Sequence, residues 1–170
     1  MLNTFEKRIS HGNEAEKKLR LLLEKFGFSV VPYGQEYRLP KEMHALLRFK
    51  HDETSLRARF VPDFLAVSKK YGAYYFEAKS SSSDKYKNFC MEKAAYQVYS
   101  SMAGGNVIIA FYSETKNKFY ANFVNSLRIT MDMSENRKSA RGSQTPFLLI
   151  DKQSCIDIES LIASLAPSVL

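Results

Sequence analysis

The sequence predicts a small α/β protein in which helices flank a central mixed β-sheet. Apolar residues repeat at helical intervals over residues 14–26, and two apolar runs within residues 59–79 form a hairpin pattern. A helix-like segment then separates this hairpin from a buried run over residues 106–113. At 170 residues the chain has the length of one domain, so we treat residues 1–170 as a single unit.

The first predicted helix covers residues 14–26. Asn13 has the chemistry of an N-cap, and Glu16 follows it at the spacing of a capping box. The apolar residues at helical intervals are Ala15, Leu19, Leu22, Leu23 and Phe26. Gly27 ends the pattern, and residues 28–33 predict a short strand. The stretch that follows, residues 34–58, is irregular apart from a short helix after Pro40.

The clearest hairpin lies between Arg59 and Lys79. The sequence there is RFVPDFLAVSKKYGAYYFEAK, in which two apolar, aromatic and β-branched runs surround a polar turn. A turn centred on Lys70 places Asp63 opposite Glu77, with Lys79 on the same sheet face as Glu77. A shift of one residue in the turn centre would break this pairing.

The remaining elements follow from hydrophobic periodicity. Residues from about 84 to 102 predict a helix, whose apolar face would comprise Met91, Ala94, Ala95, Val98 and Met102. Because a strand, a helix and another strand in succession form a parallel crossover, the strand from Asn106 should lie parallel to the one ending at Lys79. Further on, residues 118–133 are ambiguous and residues 134–145 form a polar, basic loop. Residues 147–151 predict a strand and residues 156–165 a terminal helix.

Composition restricts the partner and the compartment. Lys and Arg total 25 against 18 for Asp and Glu, a net charge of +7, which favours a polyanion such as nucleic acid over an anionic membrane. Cys90 and Cys155 form neither a disulfide framework nor a zinc-site spacing. Because there is no signal-peptide core or membrane-length apolar run, we expect a cytoplasmic protein, in a cell or an infected host. The absence of a Gly-rich phosphate loop predicts no nucleotide cofactor.

Two carboxylates on one sheet face are unfavourable unless a cation lies between them. A divalent cation would convert the Asp63 and Glu77 pair into a ligand set, since Mg²⁺ takes oxygen ligands at roughly 2.0 to 2.1 Å. Such a cation polarises a phosphoryl oxygen and lowers the pKa of bound water, while a nearby ammonium stabilises developing negative charge. The alternative is a pair of solvated strand-end acids with Lys79 as an ion-pair partner.

Pro62-Asp63 and Glu77-Ala78-Lys79 resemble the PD-(D/E)xK signature of the restriction-endonuclease-like nuclease superfamily. E-x-K triplets also start at Glu16 and Glu114, but only the one at Glu77 ends an apolar strand that is hairpinned to a Pro-Asp strand. The resemblance implies a restriction-endonuclease-like core of order αβββαβ over about residues 12–112. Residues 113–170 would form a C-terminal extension.

The resemblance also implies an activity, namely Mg²⁺-dependent hydrolysis of phosphodiester bonds in DNA, with cleavage inside the strand. Asp63, Glu77 and the backbone carbonyl of Ala78 would bind Mg²⁺, for which Mn²⁺ can substitute. Lys79 would orient or activate the attacking water. Cutting both strands commonly needs two sites, which is compatible with a homodimer.

A second acid comes from the first helix in many superfamily members. The run GNEAEKKLRLLLEKFGF is similar to the opening helix of Holliday-junction-resolvase-type members, with Glu16 at the corresponding acid. Glu16 shares the inward face with Leu19 and Leu23, whereas Glu14 lies on the exposed face. A capping box to the Asn13 backbone explains Glu16 equally well without catalysis.

Four lysines and one glutamine are candidates for contact with DNA. The candidate DNA-contacting residues are Lys69, Lys70, Lys85, Lys87 and Gln97. Each of these residues also fits an ordinary surface position.

Two alternative functions remain compatible with the sequence. The first is a catalytically silent nucleic-acid-binding module, and the second is a partner-dependent subunit of a restriction, recombination or mobile-element complex.

Overall fold

The described residues of the computed structural model, 4–40, 42–43, 52–81, 87–102, 104–133 and 146–166, form a layered α/β structure. The helices are α1 (Thr4–Lys25), α2 (Gln35–Arg38), α3 (Glu53–Arg59), α4 (Lys93–Ser101) and α5 (Ile158–Ser164). The strands are β1 (Ser29–Pro32), β2 (Phe64–Ser68), β3 (Gly72–Ser81), β4 (Asn88–Glu92), β5 (Val107–Ser113), β6 (Lys118–Phe123), β7 (Ile129–Asp132), β8 (Phe147–Asp151) and β9 (Ile156–Asp157). Short 3₁₀ turns span Val124–Ser126 and Lys152–Ser154.

The strands form two sheets. The larger has the order β1-β2-β3-β5-β6-β9, and all of its pairs are antiparallel except β3 and β5. The smaller is antiparallel with the order β4-β8-β7. The predicted mixed sheet, the parallel crossover and the αβββαβ order are therefore confirmed, with β4 diverted into the second sheet. Strands β6 and β9 continue the large sheet, so part of the C-terminal third belongs to the same layer.

Helix α1 forms because Ala15, Leu19 and Leu23 recur on one face, and all three are fully buried against the large sheet. The helix begins at Thr4 and not near Asn13, so Asn13 lies inside it. The predicted capping box was therefore wrong. Glycine and asparagine cost a helix interior only about 1 kcal/mol or less each, and the helix continues through both Gly12 and Asn13.

The hairpin register agrees with a turn centred on Lys70. Phe64 pairs with Phe76, and Ser68 pairs with Gly72 on the two sides of the turn. Gly72 has a φ of 90°, a left-handed conformation that glycine adopts without strain from a Cβ atom. The pairing of β2 and β3 extrapolates by one residue to place Asp63 level with Glu77.

Strand β5 is buried along its whole length because both faces of the large sheet are covered. Ile108 and Ala110 pack in the cluster formed with α1 and α5. Ile109 and Phe111 pack in the cluster formed with α4 and the small sheet. The central sheet therefore lies between two apolar layers, and β3 carries residues into both of them.

Several predicted boundaries need correction. The helix predicted from about residue 84 begins only at Lys93, because Asn88–Glu92 pair with β8 as strand β4. Phe89 and Met91 are buried on either side of the exposed Cys90, which is the period of a strand. The terminal helix starts at Ile158.

Other predictions fall on short or undescribed segments. The irregular stretch 34–58 contains α2 and all of α3 except its last residue, Arg59, and Glu42 and Met43 after Pro40 are helical. The predicted loop 134–145 lies outside the described residues. No helix in the described ranges combines the length and apolarity needed to span a membrane.

Candidate active site

Asp63 is held in place by both its backbone and its side chain. It follows the buried Pro62 and immediately precedes β2. Its carbonyl oxygen accepts hydrogen bonds from the backbone amides of Tyr33, at 2.7 Å, and Gly34, at 3.2 Å. Its Oδ2 atom accepts a third from the backbone amide of Ala78, at 2.7 Å. These bonds tie the segment after β1 and the middle of β3 to Asp63, and only the bond from Ala78 reaches its carboxylate.

Glu77 and Lys79 lie two residues apart on β3, as the strand period predicts. Glu77 is only 4% exposed, and its Oε1 atom forms an ion pair with the Lys79 ammonium. The Oε2 atom of Glu77 is buried without a hydrogen-bond partner among the described residues. Because an unpartnered buried carboxylate oxygen is costly, this atom is suited to a ligand that supplies positive charge.

Helix α4 and strand β4 close the site from the other side. Tyr99 on α4 is 2% exposed. Burial, together with the negative charges of Glu77 and Asp63, raises the pKa of Tyr99 well above its ordinary value, so the hydroxyl stays protonated. Glu92 of β4 also acts electrostatically on Lys79 and is paired with Arg59 at 3.1 Å.

The charges at the site are mutually dependent. Burial and the neighbouring Glu77 charge raise the pKa of Asp63 well above its ordinary value, although Lys79 opposes this shift. Burial alone would lower the pKa of Lys79, but the Glu77 and Asp63 carboxylates hold it above its usual range. Lys79 is therefore a fixed cation at neutral pH rather than a proton acceptor.

Glu16 faces the same site from α1. Glu16 and Asp63 line one cavity of about 600 Å³, and the negative charge of Glu16 contributes to the raised pKa of Asp63. Asn13, Lys17, Arg20 and Tyr37 also line it. Because α1 passes through Asn13, the capping explanation of Glu16 no longer applies. Glu14, by contrast, pairs with Lys18 at 2.8 Å on the outer face, as expected.

The Asp63 and Glu77 carboxylates fit a Mg²⁺ site of the usual protein type. Among the described residues, no group of three or more His, Cys, Asp or Glu side chains is arranged to hold a metal ion. Mg²⁺ seldom needs such a group, because it is commonly held by one or two carboxylates and completes its shell with water and substrate phosphate. Asp63 and Glu77 match that pattern, and the Glu77 Oε2 atom has no hydrogen-bond partner among the described residues.

Several predicted DNA-contacting residues lie away from these carboxylates. Lys69 and Lys70 occupy the hairpin tip, seven or more residues before Glu77, which is roughly 23 Å along the strand. Gln97 is exposed, and it lies about 200° around α4 from Tyr99, the helix residue that reaches Glu77. Lys87 is exposed just before β4, and Lys85 lies outside the described residues.

Sequence reasoning missed the residues that surround the carboxylates. Arg20 follows Glu16 by four residues, so helical spacing could have placed it on the same face. Lys17 directly follows Glu16 on α1 and lines the cavity that contains Glu16 and Asp63. Tyr99 gave no distinguishing signal, since a tyrosine at an apolar helix position is usually part of the core.

Comparison with known proteins identifies the fold. No family model and no curated protein matches the sequence. Among solved structures, the Holliday junction resolvase Hjc of Archaeoglobus fulgidus superposes with a TM-score of 0.53 at 14% identity, over 89% of this chain and 95% of that one. A nuclease from a fusselovirus superposes with a TM-score of 0.50 at 13% identity, over 98% of this chain and 95% of that one.

These likenesses extend beyond the αβββαβ core, because the aligned share of the chain exceeds residues 12–112 in both cases. At such low identity they establish the arrangement of helices and strands and nothing finer. That arrangement agrees with the order of elements, the parallel β3–β5 pair and the helix-flanked mixed sheet described above. The chain therefore has the restriction-endonuclease-like fold.

Proposed function

We propose that this protein is a divalent-metal-dependent DNA endonuclease with Asp63, Glu77 and Lys79 at its active site. The observation that carries the proposal is the convergence of these three side chains where β2 begins beside β3. The Asp63 carboxylate accepts a hydrogen bond from the backbone amide of Ala78, which lies between Glu77 and Lys79. The buried Glu77 carboxylate forms an ion pair with Lys79. This combination of two acids and one cation suits phosphodiester hydrolysis.

Asp63 and Glu77 would hold Mg²⁺ or Mn²⁺, with the Ala78 carbonyl as a further ligand. When bound, the metal polarises a phosphoryl oxygen and lowers the pKa of a coordinated water. Lys79 supplies a permanent positive charge to orient the attacking water and stabilise the phosphate. Glu16 is the candidate second acid from α1, because it borders the same cavity as Asp63.

Positive charges that line the same cavity as Glu16 and Asp63 support DNA as the substrate. Lys17 and Arg20 line the cavity that contains Glu16 and Asp63, and Arg20 is also ion-paired with Glu24 at 2.9 Å. A phosphate in this cavity would therefore lie near two cationic side chains. The net charge of +7 favours the same encounter at long range. Two solved structures of the same fold, named as a resolvase and a nuclease, are consistent with this function.

The test is a cleavage assay on a panel of supercoiled, linear, single-stranded and branched DNAs, with and without Mg²⁺ or Mn²⁺. We expect strand breaks only with metal present. Binding of DNA without any cleavage would instead indicate the catalytically silent module. Cleavage that appears only after a partner protein is added would indicate a subunit of a larger complex. Light scattering of the same samples would test the predicted homodimer.

A further inference from the structure

A second cavity lies beside the active site and differs from the first in chemistry. Its volume is about 410 Å³, within the range of small-ligand pockets. Its aromatic walls are Tyr33, Phe60 and Tyr75, and Arg38 and Arg57 also line it. None of its described lining residues is acidic, whereas the cavity beside Asp63 contains two acids.

The aromatic walls form a connected group. The rings of Tyr33 and Tyr75 have centroids 5.2 Å apart, and the guanidinium carbon of Arg38 lies 4.7 Å from the centroid of Tyr33. Arg57 is mostly exposed and ion-paired with Glu53 at 2.8 Å. Aromatic faces and guanidinium planes are the surfaces on which nucleobases stack. The cavity therefore has the chemistry of a base-binding site.

The position of this cavity relates it to the proposed reaction. Pro62, which lines the cavity, directly precedes Asp63. Tyr75 precedes Glu77 by two residues on β3, so their side chains leave the same sheet face and their Cα atoms are roughly 6.6 Å apart. A base in the cavity would therefore belong to a nucleotide close to a phosphate bound at the carboxylates.

We infer that the cavity bounded by Tyr33, Phe60 and Tyr75, here named the aromatic pocket, binds an unpaired base of the DNA substrate. This inference rests on the proposed nuclease function and specifies its substrate class. A base that is paired and stacked in a duplex cannot enter the pocket, and extruding one costs a few kcal/mol. The enzyme should therefore prefer single-stranded DNA, or branched DNA with unpaired nucleotides at the cut, over a continuous duplex.

The test measures binding in EDTA, where no metal-dependent cleavage occurs. The probes are a labelled single-stranded oligothymidylate and an abasic strand of equal length, which carries the same phosphates and no bases. Replacing Tyr33 by leucine should weaken binding of the oligothymidylate about 5- to 150-fold, the equivalent of the 1 to 3 kcal/mol of one stacked base. Binding of the abasic strand should not change, and Tyr33→Phe should retain wild-type affinity.

Tyr120→Leu is the matched control, because Tyr120 is also half-buried beneath a cation, with Lys118 Nζ 4.9 Å from its ring centroid. Equal losses on both probes, no loss in Tyr33→Leu, or the same loss in Tyr120→Leu would overturn the assignment. Loss of self-association in Tyr33→Leu with unchanged DNA binding would also overturn it and assign the pocket to a second copy.

A strand containing 2-aminopurine provides a measurement on the wild-type protein. Its fluorescence should fall on binding if the base stacks in the aromatic pocket, and unchanged fluorescence in a saturated complex would contradict stacking. Base-dependent binding without cleavage in Mg²⁺ would refute the nuclease and leave the pocket as a binding site. Cleavage without base-dependent binding would refute the pocket alone.

Discussion

The Oδ2 atom of Asp63 accepts a hydrogen bond from the backbone amide of Ala78, at 2.7 Å. This bond fixes the Asp63 carboxylate against Ala78, which lies between Glu77 and Lys79. The Asp63 carbonyl also accepts hydrogen bonds from the backbone amides of Tyr33 and Gly34, which directly follow β1. Asp63 is therefore held at the point where β1, β2 and β3 lie side by side. Side chains held by backbone in this way are suited to catalysis, which needs fixed geometry.

Metal binding should stabilise the folded protein. At a concentration one hundred times its Kd, a ligand that binds only the native state adds about 2.7 kcal/mol, which is roughly 5 to 10 °C in Tm for a chain of this size. We expect this rise with Mg²⁺ and its reversal by EDTA in thermal melts. Glu77→Gln should abolish the rise, and an equal rise in that variant would show that Mg²⁺ binds elsewhere.

Lys79 should affect cleavage rather than metal binding. Replacing it by methionine removes the charge that would stabilise the phosphate, so we expect the single-turnover rate to fall roughly 10²- to 10³-fold. The Tm increase with Mg²⁺ should remain in this variant. Lys79→Arg keeps the charge and serves as the matched control. An unchanged rate in Lys79→Met would remove this residue from the mechanism.

Lys17 and Arg20 should contribute to DNA affinity by neutralising phosphates. In Lys17→Gln and Arg20→Gln, the negative slope of log affinity against log salt should become shallower by about 0.9 for each duplex phosphate that the variant no longer neutralises. Lys25→Gln makes the same charge change in the last turn of α1 and should leave the slope unaltered. Equal effects in all three variants would indicate general attraction by net charge.

Asp157 should stabilise the C-terminal helix. Its Oδ1 atom accepts from the Glu159 amide and its Oδ2 atom from Lys118, each at 3.0 Å. Partial burial opposes the shift, but these partners hold the pKa of Asp157 below its usual value. Asp157→Ala should lower the free energy of unfolding by about 1 kcal/mol.

The pH dependence of this effect follows from the lowered pKa of Asp157. Its contribution is complete above the ordinary aspartate pKa of about 3.9 and is lost as pH falls through the lower folded value. Urea unfolding of wild type and Asp157→Ala at neutral and acidic pH would measure this. Lys118→Met, which keeps the cap, should lose less stability, and equal losses in both variants would contradict the capping role.

Local patterns in the sequence were sufficient to predict the hairpin and its register. The polar turn around Lys70 and the alternation of buried and exposed residues on each side of it place Phe64 opposite Phe76. The position of Asp63 level with Glu77 follows from that register. Strand β4 could not be predicted in this way. Met91 fits both an apolar helix face and a strand, and only pairing with the distant β8 decides between them.

The surroundings of the site depend on contacts between distant segments. Tyr33, Arg57 and Tyr75 come from three separate segments of the chain, and no spacing in the sequence shows that they line one cavity. The N-terminal boundary of α1 was mispredicted because Gly12 and Asn13 have the chemistry of a helix start and are nevertheless helical. Glu16 therefore faces Asp63 from within a continuous helix.

The most direct test of the proposed active site is the nicking rate of supercoiled plasmid in Mg²⁺ by wild type, Asp63→Asn and Glu77→Gln. All three proteins must first be shown to melt cooperatively. We predict nicking by the wild type and a reduction of at least about 100-fold in each variant, because each loses a carboxylate that would bind the metal. Wild-type rates in both variants would contradict the assignment of these carboxylates to the reaction.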